Sequence, residues 1–325
     1  MKAAWYENNG PARKVLNIGE MEPPDPAPGE VRVRLYASGV NPSDVKSRSG
    51  RPLSAPRIIP HSDGAGEIEA VGPGVAHSRV GERVWVWNGQ WQRPFGTAAE
   101  FICLPEDQAV TLPDNVDYAT GACFGIPALT AIHAVNLFGP LAGKALLVTG
   151  AGSSVGFYAV QFAKAAGARV LGTASRERAA LAREAGADFV IDYKTKDIVK
   201  VTRDLTGGNG ADGIIDMDLS STIHLVADGA LVPHGKVICY GSNVAREIPL
   251  PFPAMLWNSI TLQFFLVYDL LPDQRMRAIA QLLDTLRQNT LRHHLGERFP
   301  LERIADAHEA VESGGVSGNI VLDIS

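Results

Sequence analysis

A cluster of glycines and serines follows a short apolar run near the middle of the chain. The run over residues 145–149 predicts a buried strand, and apolar residues at helical spacing over 155–166 predict a helix. The N-terminus of a helix has unpaired N–H groups, and a glycine turn leaves them open to a phosphate. The pattern predicts a dinucleotide site, and the alternative is a tight turn that binds nothing. The residues expected to hold the pyrophosphate are Gly150, Gly152, Ser153, Ser154, Val155 and Gly156.

The residues after the next predicted strand, 169–173, indicate which dinucleotide binds. An NAD site favours a carboxylate here, which accepts from the ribose 2′-hydroxyl. This chain has Ser175 and Arg176 instead, and its first carboxylate is Glu177. A charge-assisted hydrogen bond to a 2′-phosphate is worth about 1.5–3 kcal/mol, so the sequence favours NADPH. The alternative for Arg176 and Arg178 is solvated charge at the start of the next helix.

Composition excludes several classes of protein. The chain has 325 residues, a net charge of −5 and 46% hydrophobic residues, which is typical of a soluble globular protein without a basic field for nucleic acid. The three cysteines form no Cys-x-x-Cys pair, which argues against a disulfide framework and a zinc lobe. The chain has no run of about 18 apolar residues for a membrane span, nor an apolar signal core at its start. We expect a cytoplasmic enzyme.

The order of elements predicts two domains. Residues 1–124 are rich in glycine, proline and short alternating strands, which predicts a β-rich domain. Residues 125–265 alternate between helix and strand, which is typical of a doubly wound parallel sheet. Residues 266–325 are expected to complete the first domain, because their last strand, 318–324, needs a sheet to join. Besides the helix after the glycine turn, helices are predicted over residues 117–137, 177–185, 197–205, 220–227, 275–288 and 301–312.

Six segments in family order carry a resemblance over nearly the whole chain. They are ASGVNPSDVKSRSG (37–50), IPHSDGAGEIEAVGPGV (59–75), GTAAEF (96–101), PALTAIHAV (127–135), VTGAGSSVG (148–156) and SGNIVL (317–322). The chain resembles a zinc-free medium-chain dehydrogenase/reductase of the NADPH:quinone oxidoreductase branch that includes ζ-crystallin. The resemblance implies an α/β protein with a β-rich GroES-like catalytic domain and a Rossmann domain that binds NADPH. It also implies a homodimer, with the edge strand around residues 261–265 as the candidate interface.

The resemblance also assigns roles to single residues. It implies that Ser175, Arg176 and Tyr193 surround the 2′-phosphate and that Asn41 and Thr130 lie near the nicotinamide. Thr130 could instead bond its own helix backbone, and Tyr193 could be a strand-end tyrosine. The residues implied to line the nicotinamide side are Gly241, Ser242, Phe265, Val267 and Asn319. Phe265 could instead belong to the core, and Asn319 could be a turn residue.

The residues at the family's metal positions indicate a site without metal. Zinc-dependent relatives have a cysteine where this chain has Asn41, and their histidine ligand aligns with Ser62. His61 is one position away and is interpreted as a packed loop histidine. Lys46 replaces a tyrosine that some quinone reductases have near the substrate, which puts the quinone preference in doubt.

These residues predict hydride transfer from NADPH to a quinone. Without a metal, the developing negative charge on the acceptor needs hydrogen-bond donors, and the candidates are the Asn41 amide and the Lys46 ammonium. One alternative is reduction of the C=C bond of an α,β-unsaturated carbonyl compound. Another is a non-catalytic NADPH- or RNA-binding protein, although no Lys/Arg run exceeds two residues. A short-chain reductase is not indicated, because none of the seven tyrosines has a lysine four residues later.

Overall fold

The computed structural model describes residues 1–244 and 246–324. The chain forms two compact units, which we call unit 1 (Met1–Ile126 with Leu283–Ser325) and unit 2 (Pro127–Leu282). Residues 266–282 belong to unit 2, although the sequence assigned them to the β-rich domain. Within unit 2, Asn136 Nδ2 donates to Gln281 Oε1, which ties this segment to the helix that ends at Asn136.

The chain contains β-strands in both units. They are β1 (Lys2–Trp5), β2 (Asn17–Glu20), β3 (Glu30–Val40), β4 (Asp63–Val71), β5 (Arg83–Val86), β6 (Phe101–Pro105), β7 (Ala109–Thr111), β8 (Ala145–Val148), β9 (Arg169–Ala174), β10 (Phe189–Asp192), β11 (Ala211–Asp216), β12 (Leu231–Cys239), β13 (Thr261–Phe264), β14 (Leu295–Pro300) and β15 (Asn319–Asp323).

The α-helices range from four residues to the 16 residues of the helix that begins at Pro272. They are α1 (Ala12–Val15), α2 (Pro42–Gly50), α3 (Tyr118–Gly121), α4 (Leu129–Asn136), α5 (Ser154–Ala165), α6 (Ala179–Glu184), α7 (Ile198–Leu205), α8 (Leu219–Thr222), α9 (His224–Ala227), α10 (Phe252–Trp257), α11 (Pro272–Arg287) and α12 (Ile304–Ser313).

Unit 1 is built on a mainly antiparallel sheet in the order β14-β15-β3-β4-β5-β7, and β6 also pairs with β3. The last strand, β15, lies antiparallel to β3, with Ile320 opposite Val40. The prediction that the end of the chain joins the first sheet is therefore confirmed. Alternate residues of β3 and β4, such as Val33 and Ile68, lie in one apolar core, as expected for a sheet with one buried face.

Unit 2 contains a sheet in the order β10-β9-β8-β11-β12-β13, and each neighbouring pair is parallel. Counted along the chain, this is the order 3-2-1-4-5-6 of the doubly wound nucleotide-binding fold. Buried apolar residues of its central strands, such as Leu147 and Ile214, form the core. The predicted fold class is confirmed for both units.

Two of the predicted helices are interrupted. The helix predicted over 117–137 consists of α3, a π-helical turn at Phe124–Ala128 that contains Pro127, and α4; a proline inside a helix removes a backbone donor. The helix predicted over 220–227 is divided into α8 and α9. Thr222 Oγ1 donates to Asp216 Oδ2 and to the carbonyl of Asp218, and such side-chain bonds compete with helix continuation.

Among the described residues, no helix is both long enough and apolar enough to cross a bilayer.

Candidate functional site

The glycine turn of unit 2 closes only without side chains. Gly150 has φ of +63°, a left-handed conformation that favours glycine. A Cβ on Gly156 would lie 2.1 Å from the carbonyl oxygen of Gly150, and one on Gly152 would lie 2.6 Å from the carbonyl oxygen of Arg178. The turn therefore brings bare backbone to the N-terminus of the 12-residue helix α5, where an anion is favoured.

Ser153 caps α5. Its side-chain oxygen accepts a hydrogen bond of 3.1 Å from Gly156 N, and its side chain also hydrogen-bonds Tyr240. The cap satisfies one of the N–H groups that a helix start leaves unpaired. Ser154 and Val155 are the first two residues of α5, so their N–H groups belong to the same helix start.

The residues predicted to surround a 2′-phosphate lie together at one end of the sheet. Asp192, the last residue of β10, pairs with Ala174, the last residue of β9. Ser175 and Arg176 follow β9, and Tyr193 follows β10. Their positions are therefore adjacent, because the carboxyl ends of parallel strands meet at the same edge. Ser175 is buried, whereas Arg176 and Tyr193 are exposed.

Two further cations, Arg178 and Lys194, belong to this group, and the sequence analysis missed Lys194. Lys194 follows Tyr193 and is exposed. The carbonyl oxygen and Cβ of Arg178 lie 2.6 and 2.8 Å from the Cβ position of Gly152, so Arg178 is beside the glycine turn. The sequence signal that could have identified Lys194 is a basic residue just after the third strand of unit 2.

The carboxylate of Glu177 lies among these cations. A single 3₁₀ turn at Arg176–Arg178 brings its carboxylate back to accept from the Ser175 side chain. This hydrogen bond, the N–H of Glu177 and the positive charge of Lys194 lower the pKa of Glu177. Lys194 Nζ lies 3.9 Å from Glu177 Oε2, and both side chains are exposed.

The residues predicted for the nicotinamide side of unit 2 lie around Phe265. Its ring centroid is 4.8 Å from that of His133 and 6.4 Å from that of Tyr240. Thr130 is buried on α4, three residues before His133 and on the same face. Gly241 and Ser242 follow Tyr240, and a Cβ on Gly241 would lie 2.6 Å from the carbonyl oxygen of Met217. Val267 is buried in the 3₁₀ turn Val267–Asp269.

Asp218 holds the segment that follows β12, a role that the sequence analysis did not assign. Its carboxylate accepts from Asn243 N and Asn243 Nδ2, both at 2.8 Å, and from the hydroxyls of Ser220 and Ser221 at 2.5 and 2.8 Å. These donors hold the pKa of Asp218 below its usual range against the opposing effect of burial. An ionised Asp218 thus anchors the residues that follow Gly241.

In unit 1, the amide of Asn41 is engaged by carboxyl groups. Asn41 Nδ2 donates to Asp63 Oδ2 at 2.9 Å, and Asn41 N donates to Asp44 Oδ2 at 2.8 Å. The side chain of Asn41 also hydrogen-bonds Asp44. Asp63 Oδ2 accepts a second hydrogen bond, from Ile126 N at 3.1 Å. Asn41 therefore bridges two buried acids at the start of α2.

Burial controls the ionisation of both acids. It raises the pKa of Asp44 to about 7, against the opposing effects of the Asn41 hydrogen bonds and the charge of Arg51. Burial, and then the charge of Asp44, raise the pKa of Asp63 well above its usual value. Asp63 Oδ2 takes two donors, while its buried Oδ1 has no hydrogen-bond partner.

Lys46 and Asn319 are the other predicted residues of unit 1. Lys46 is exposed on α2, one turn after the bridge. Asn319 is the first residue of β15, and its Nδ2 donates to the carbonyl of His294 at 3.3 Å. Because Ile320 pairs with Val40, Asn319 and Asn41 lie at the same end of two neighbouring strands.

A chain of side-chain hydrogen bonds leads from the backbone of Asp63 to two buried histidines. Thr97 Oγ1 donates to the Asp63 carbonyl at 2.6 Å and lies 2.8 Å from Ser38 Oγ. Ser38 Oγ lies 2.9 Å from His61 Nδ1, and His61 Nε2 lies 2.9 Å from His308 Nε2. Since Thr97 uses its one proton on Asp63, Ser38 donates to Thr97, His61 Nδ1 donates to Ser38, and His308 Nε2 donates to His61.

His61 is a packed histidine of unit 1, as the sequence analysis interpreted it, and its φ is +77°. In the part of the chain that the structure describes, no group of three or more His, Cys, Asp or Glu side chains could hold a metal ion.

Comparison with known proteins identifies the family. A profile for the alcohol dehydrogenase GroES-like domain matches residues 27–114, and one for zinc-binding dehydrogenase matches residues 154–285. The chain is 31% identical over 324 residues to human quinone oxidoreductase, covering 98% of this chain and 95% of that protein. The chain belongs to the quinone oxidoreductase family of medium-chain dehydrogenases/reductases. It is an oxidoreductase.

Other similar proteins are named for different substrates or cofactors. A 2-haloacrylate reductase from Burkholderia sp is 30% identical, with 99% of this chain and 98% of that protein covered. A mycobacterial protein solved in complex with NADPH is 27% identical, with a TM-score of 0.88 and coverage of 99% and 100%. A structure described as an NAD-dependent alcohol dehydrogenase is 29% identical, with a TM-score of 0.91 and full coverage of both chains.

Proposed function

We propose that this quinone oxidoreductase family member reduces quinones with NADPH. The observation that carries the proposal is the group of Ser175, Arg176 and Tyr193 at the carboxyl ends of β9 and β10. It lies beside a glycine turn at the start of α5, in a chain that is 31% identical over nearly its full length to a quinone oxidoreductase.

The residues of unit 2 fit such a dinucleotide. The bare turn at Gly150, Gly152 and Gly156 and the start of α5 accommodate a pyrophosphate. Arg176, Arg178 and Lys194 provide positive charge for a 2′-phosphate. When bound, the dinucleotide supplies a hydride from its nicotinamide. Thr130, Phe265 and Val267, with the segment that Asp218 anchors, are proposed to orient that ring and exclude water from it.

The groups of unit 1 are proposed to handle the acceptor. Reduction of a quinone to a hydroquinone by NADPH takes up one proton from outside the dinucleotide. The exposed Lys46 ammonium is the proposed source of this proton, since the amide of Asn41 already donates to Asp63. Asn41 is accordingly proposed to hold the start of α2, the helix that carries Lys46. Asn319, at the same end of the sheet, is proposed to line the acceptor side.

We infer that the reaction proceeds without a metal ligand set in unit 1. The resemblance aligns Asn41 and Ser62 with a cysteine and a histidine ligand of zinc-dependent relatives, and the Asn41 amide donates to the Asp63 carboxyl group. An amide nitrogen and a lone serine hydroxyl are poor ligands for zinc, so these side chains do not suit the metal.

A second candidate function is reduction of an activated C=C bond. It is favoured by the full-length similarity to a 2-haloacrylate reductase, whose named substrate is an α,β-unsaturated acid. The same hydride chemistry serves both acceptors, and the difference is whether the protein delivers a proton to oxygen or to carbon.

Oxidation of NADPH in the presence of 1,4-benzoquinone, 3-penten-2-one or 2-chloroacrylate distinguishes these functions. Turnover with the quinone alone supports the first proposal, and turnover with either alkene alone supports the second. The Lys46→Gln variant, which keeps the helix but lacks the ammonium, should lower kcat and leave the dissociation constant of NADPH unchanged. No turnover by the wild-type protein with any acceptor, despite NADPH binding, would contradict both functions.

We also propose that the chain forms a homodimer through the edge of the unit 2 sheet. β13 is an edge strand, and its last residue, Phe264, is 59% exposed. Trp257, which ends α10, is 85% exposed. An uncovered apolar edge of this kind favours association.

A further inference from the structure

Among the residues proposed to bind the 2′-phosphate, one carboxylate competes with the phosphate for the same hydrogen-bond donors. The carboxylate of Glu177 accepts from the Ser175 side chain, and Lys194 Nζ lies 3.9 Å from Glu177 Oε2. The hydroxyl of Ser175 has a single proton, so it cannot donate to Glu177 and to a phosphate oxygen at the same time. An anion therefore already occupies part of the site that the sequence assigns to the phosphate.

The local backbone explains why this carboxylate is available. Because the 3₁₀ turn Arg176–Arg178 begins immediately after Ser175, Glu177 reaches back to Ser175 instead of extending along the next helix. Its pKa is lowered first by the Ser175 hydrogen bond, so the group is charged at neutral pH. A phosphomonoester carries a charge of about −1.5 to −2 at that pH, and two anions in contact repel each other.

The same carboxylate suits a cofactor without the phosphate. In sites that prefer NAD, an acidic residue after the second strand accepts from the ribose 2′-hydroxyl. Glu177 comes three residues after the end of β9, later than the usual position of that acid, but its carboxylate reaches back to Ser175. Relatives of this chain include both a structure solved with NADPH and one described as NAD-dependent, so both nucleotides are compatible with the fold.

We propose that Glu177 is a specificity-determining residue, which lowers the affinity of this site for a 2′-phosphate and allows NADH to bind as a second cofactor. The inference rests on the proposed dinucleotide site. Arg176, Arg178 and Lys194 attract the phosphate, and Glu177 opposes them. The preference for NADPH is therefore smaller than the three cations would provide, and removal of the negative charge of Glu177 increases it.

The test is calorimetric binding of NADPH, NADH, 2′,5′-ADP and 5′-ADP to the wild-type protein and to Glu177→Gln. Glutamine keeps an oxygen that accepts from Ser175 but lacks the charge. We expect the variant to bind NADPH and 2′,5′-ADP about 5- to 10-fold more tightly, in line with one nearby charge pair at low ionic strength. The affinities for 5′-ADP and NADH, which both carry a free ribose 2′-hydroxyl, should each fall by about two- to threefold as the acceptor loses its charge.

Two controls separate the possible results. Glu297→Gln removes an exposed carboxylate of unit 1 and should leave all four affinities unchanged. The gain for 2′,5′-ADP should shrink in about 0.5 M salt, where the Debye length is below about 5 Å. Equal changes for 2′,5′-ADP and 5′-ADP, or no change in Glu177→Gln, would overturn the role of Glu177. Failure of the wild-type protein to bind any of the four nucleotides would instead overturn the proposed function.

Discussion

Asn41 Nδ2 lies 2.9 Å from Asp63 Oδ2, and this hydrogen bond joins the residue after β3 to the first residue of β4. Gly39 and Asp63 pair across the two strands, so the register of the sheet brings the amide and the carboxyl together. The bond links the packing of unit 1 to the residue that starts α2. The acceptor, Asp63, is a buried acid, and burial opposes its ionisation. The pair is therefore sensitive to pH.

Asp63→Asn should change how stability depends on pH. Burial, followed by the charge of Asp44, raises the folded-state pKa of Asp63, so the stability from its protonated form is full below about pH 4 and is lost as pH rises. Asparagine does not titrate. Relative to wild type, the free energy of unfolding of the variant should therefore rise by up to about 1.4 kcal/mol per pH unit above about pH 4. Urea unfolding over a range of pH measures this, with the exposed Asp114→Asn as a control. A pH-independent difference would show that Asp63 keeps an ordinary pKa.

His61 and His308 should be opposite tautomers. The direction of the hydrogen bonds puts the proton of His61 on Nδ1 and that of His308 on Nε2, and leaves the buried Nδ1 of His308 without a partner. Long-range ¹H–¹⁵N correlation spectra of the labelled protein report both assignments directly. The same tautomer at both rings would contradict this direction of the chain from Thr97.

Acid should destabilise unit 1 through these two rings. Burial, and then His308, lower the pKa of His61, while burial, and then Arg48, lower the pKa of His308 to about 3. The unfolded chain takes up protons below about pH 6.5 and the folded chain does not, so stability falls as pH falls. His308→Gln removes one titrating ring and should reduce the loss between about pH 6 and pH 4 by about 1.4 kcal/mol per pH unit. An unchanged slope in the variant would mean that His308 is protonated in the folded protein.

Arg178→Ala and Arg176→Ala should weaken binding of NADPH and leave binding of NADH little changed. A charge-assisted hydrogen bond to the phosphate is worth about 1.5–3 kcal/mol, or about 10- to 100-fold in affinity. We expect a loss in each variant, because both arginines lie in the 3₁₀ turn that follows Ser175. Fluorescence titration with both nucleotides measures it, and the exposed Arg183→Ala on α6 is the matched control. Equal losses for NADPH and NADH would show that neither arginine contacts the 2′-phosphate.

Asp218→Asn should weaken dinucleotide binding without unfolding unit 2. The variant replaces one carboxylate oxygen by an amide that faces hydroxyl and amide donors, and each charge-assisted bond that is lost is worth about 1.5–3 kcal/mol. The segment after Gly241 should then lose its anchor, and NADPH and NADH should both bind at least about tenfold more weakly. Calorimetry and thermal unfolding separate binding from stability, with Asp204→Asn as the control. Unchanged affinity would mean that Asp218 has no positioning role.

Phe264→Lys should convert the proposed dimer to a monomer. A lysine on an edge strand opposes pairing with another chain. Light scattering should give twice the mass of the 34.7 kDa chain for wild type and for Val80→Lys, a comparably exposed position in unit 1. A monomeric wild-type protein would rule out the dimer, and a dimeric Phe264→Lys would rule out this edge as the interface.

Patterns that are local in the chain were sufficient for the architecture. The apolar run before Gly150 and the helical spacing after it predicted β8 and α5 within one residue at each end. Both patterns can be recognised within a short stretch of sequence. The lone strand near residue 320 was predicted to join the first sheet, and β15 does so.

The chemistry of the site depended on partners that are far apart in sequence. Asp63 and Asn41 are 22 residues apart, and His61 and His308 are 247 apart. No periodicity encodes such contacts, and their ionisation depends on burial, which only the packed core determines. Glu177 was read as the start of a helix, whereas the 3₁₀ turn brings it to Ser175. The sequence by itself therefore determined the family, the two folds and the nucleotide turn. The tertiary structure decided which hydrogen-bond donors already have partners, because hydrogen bonding and desolvation depend on three-dimensional proximity.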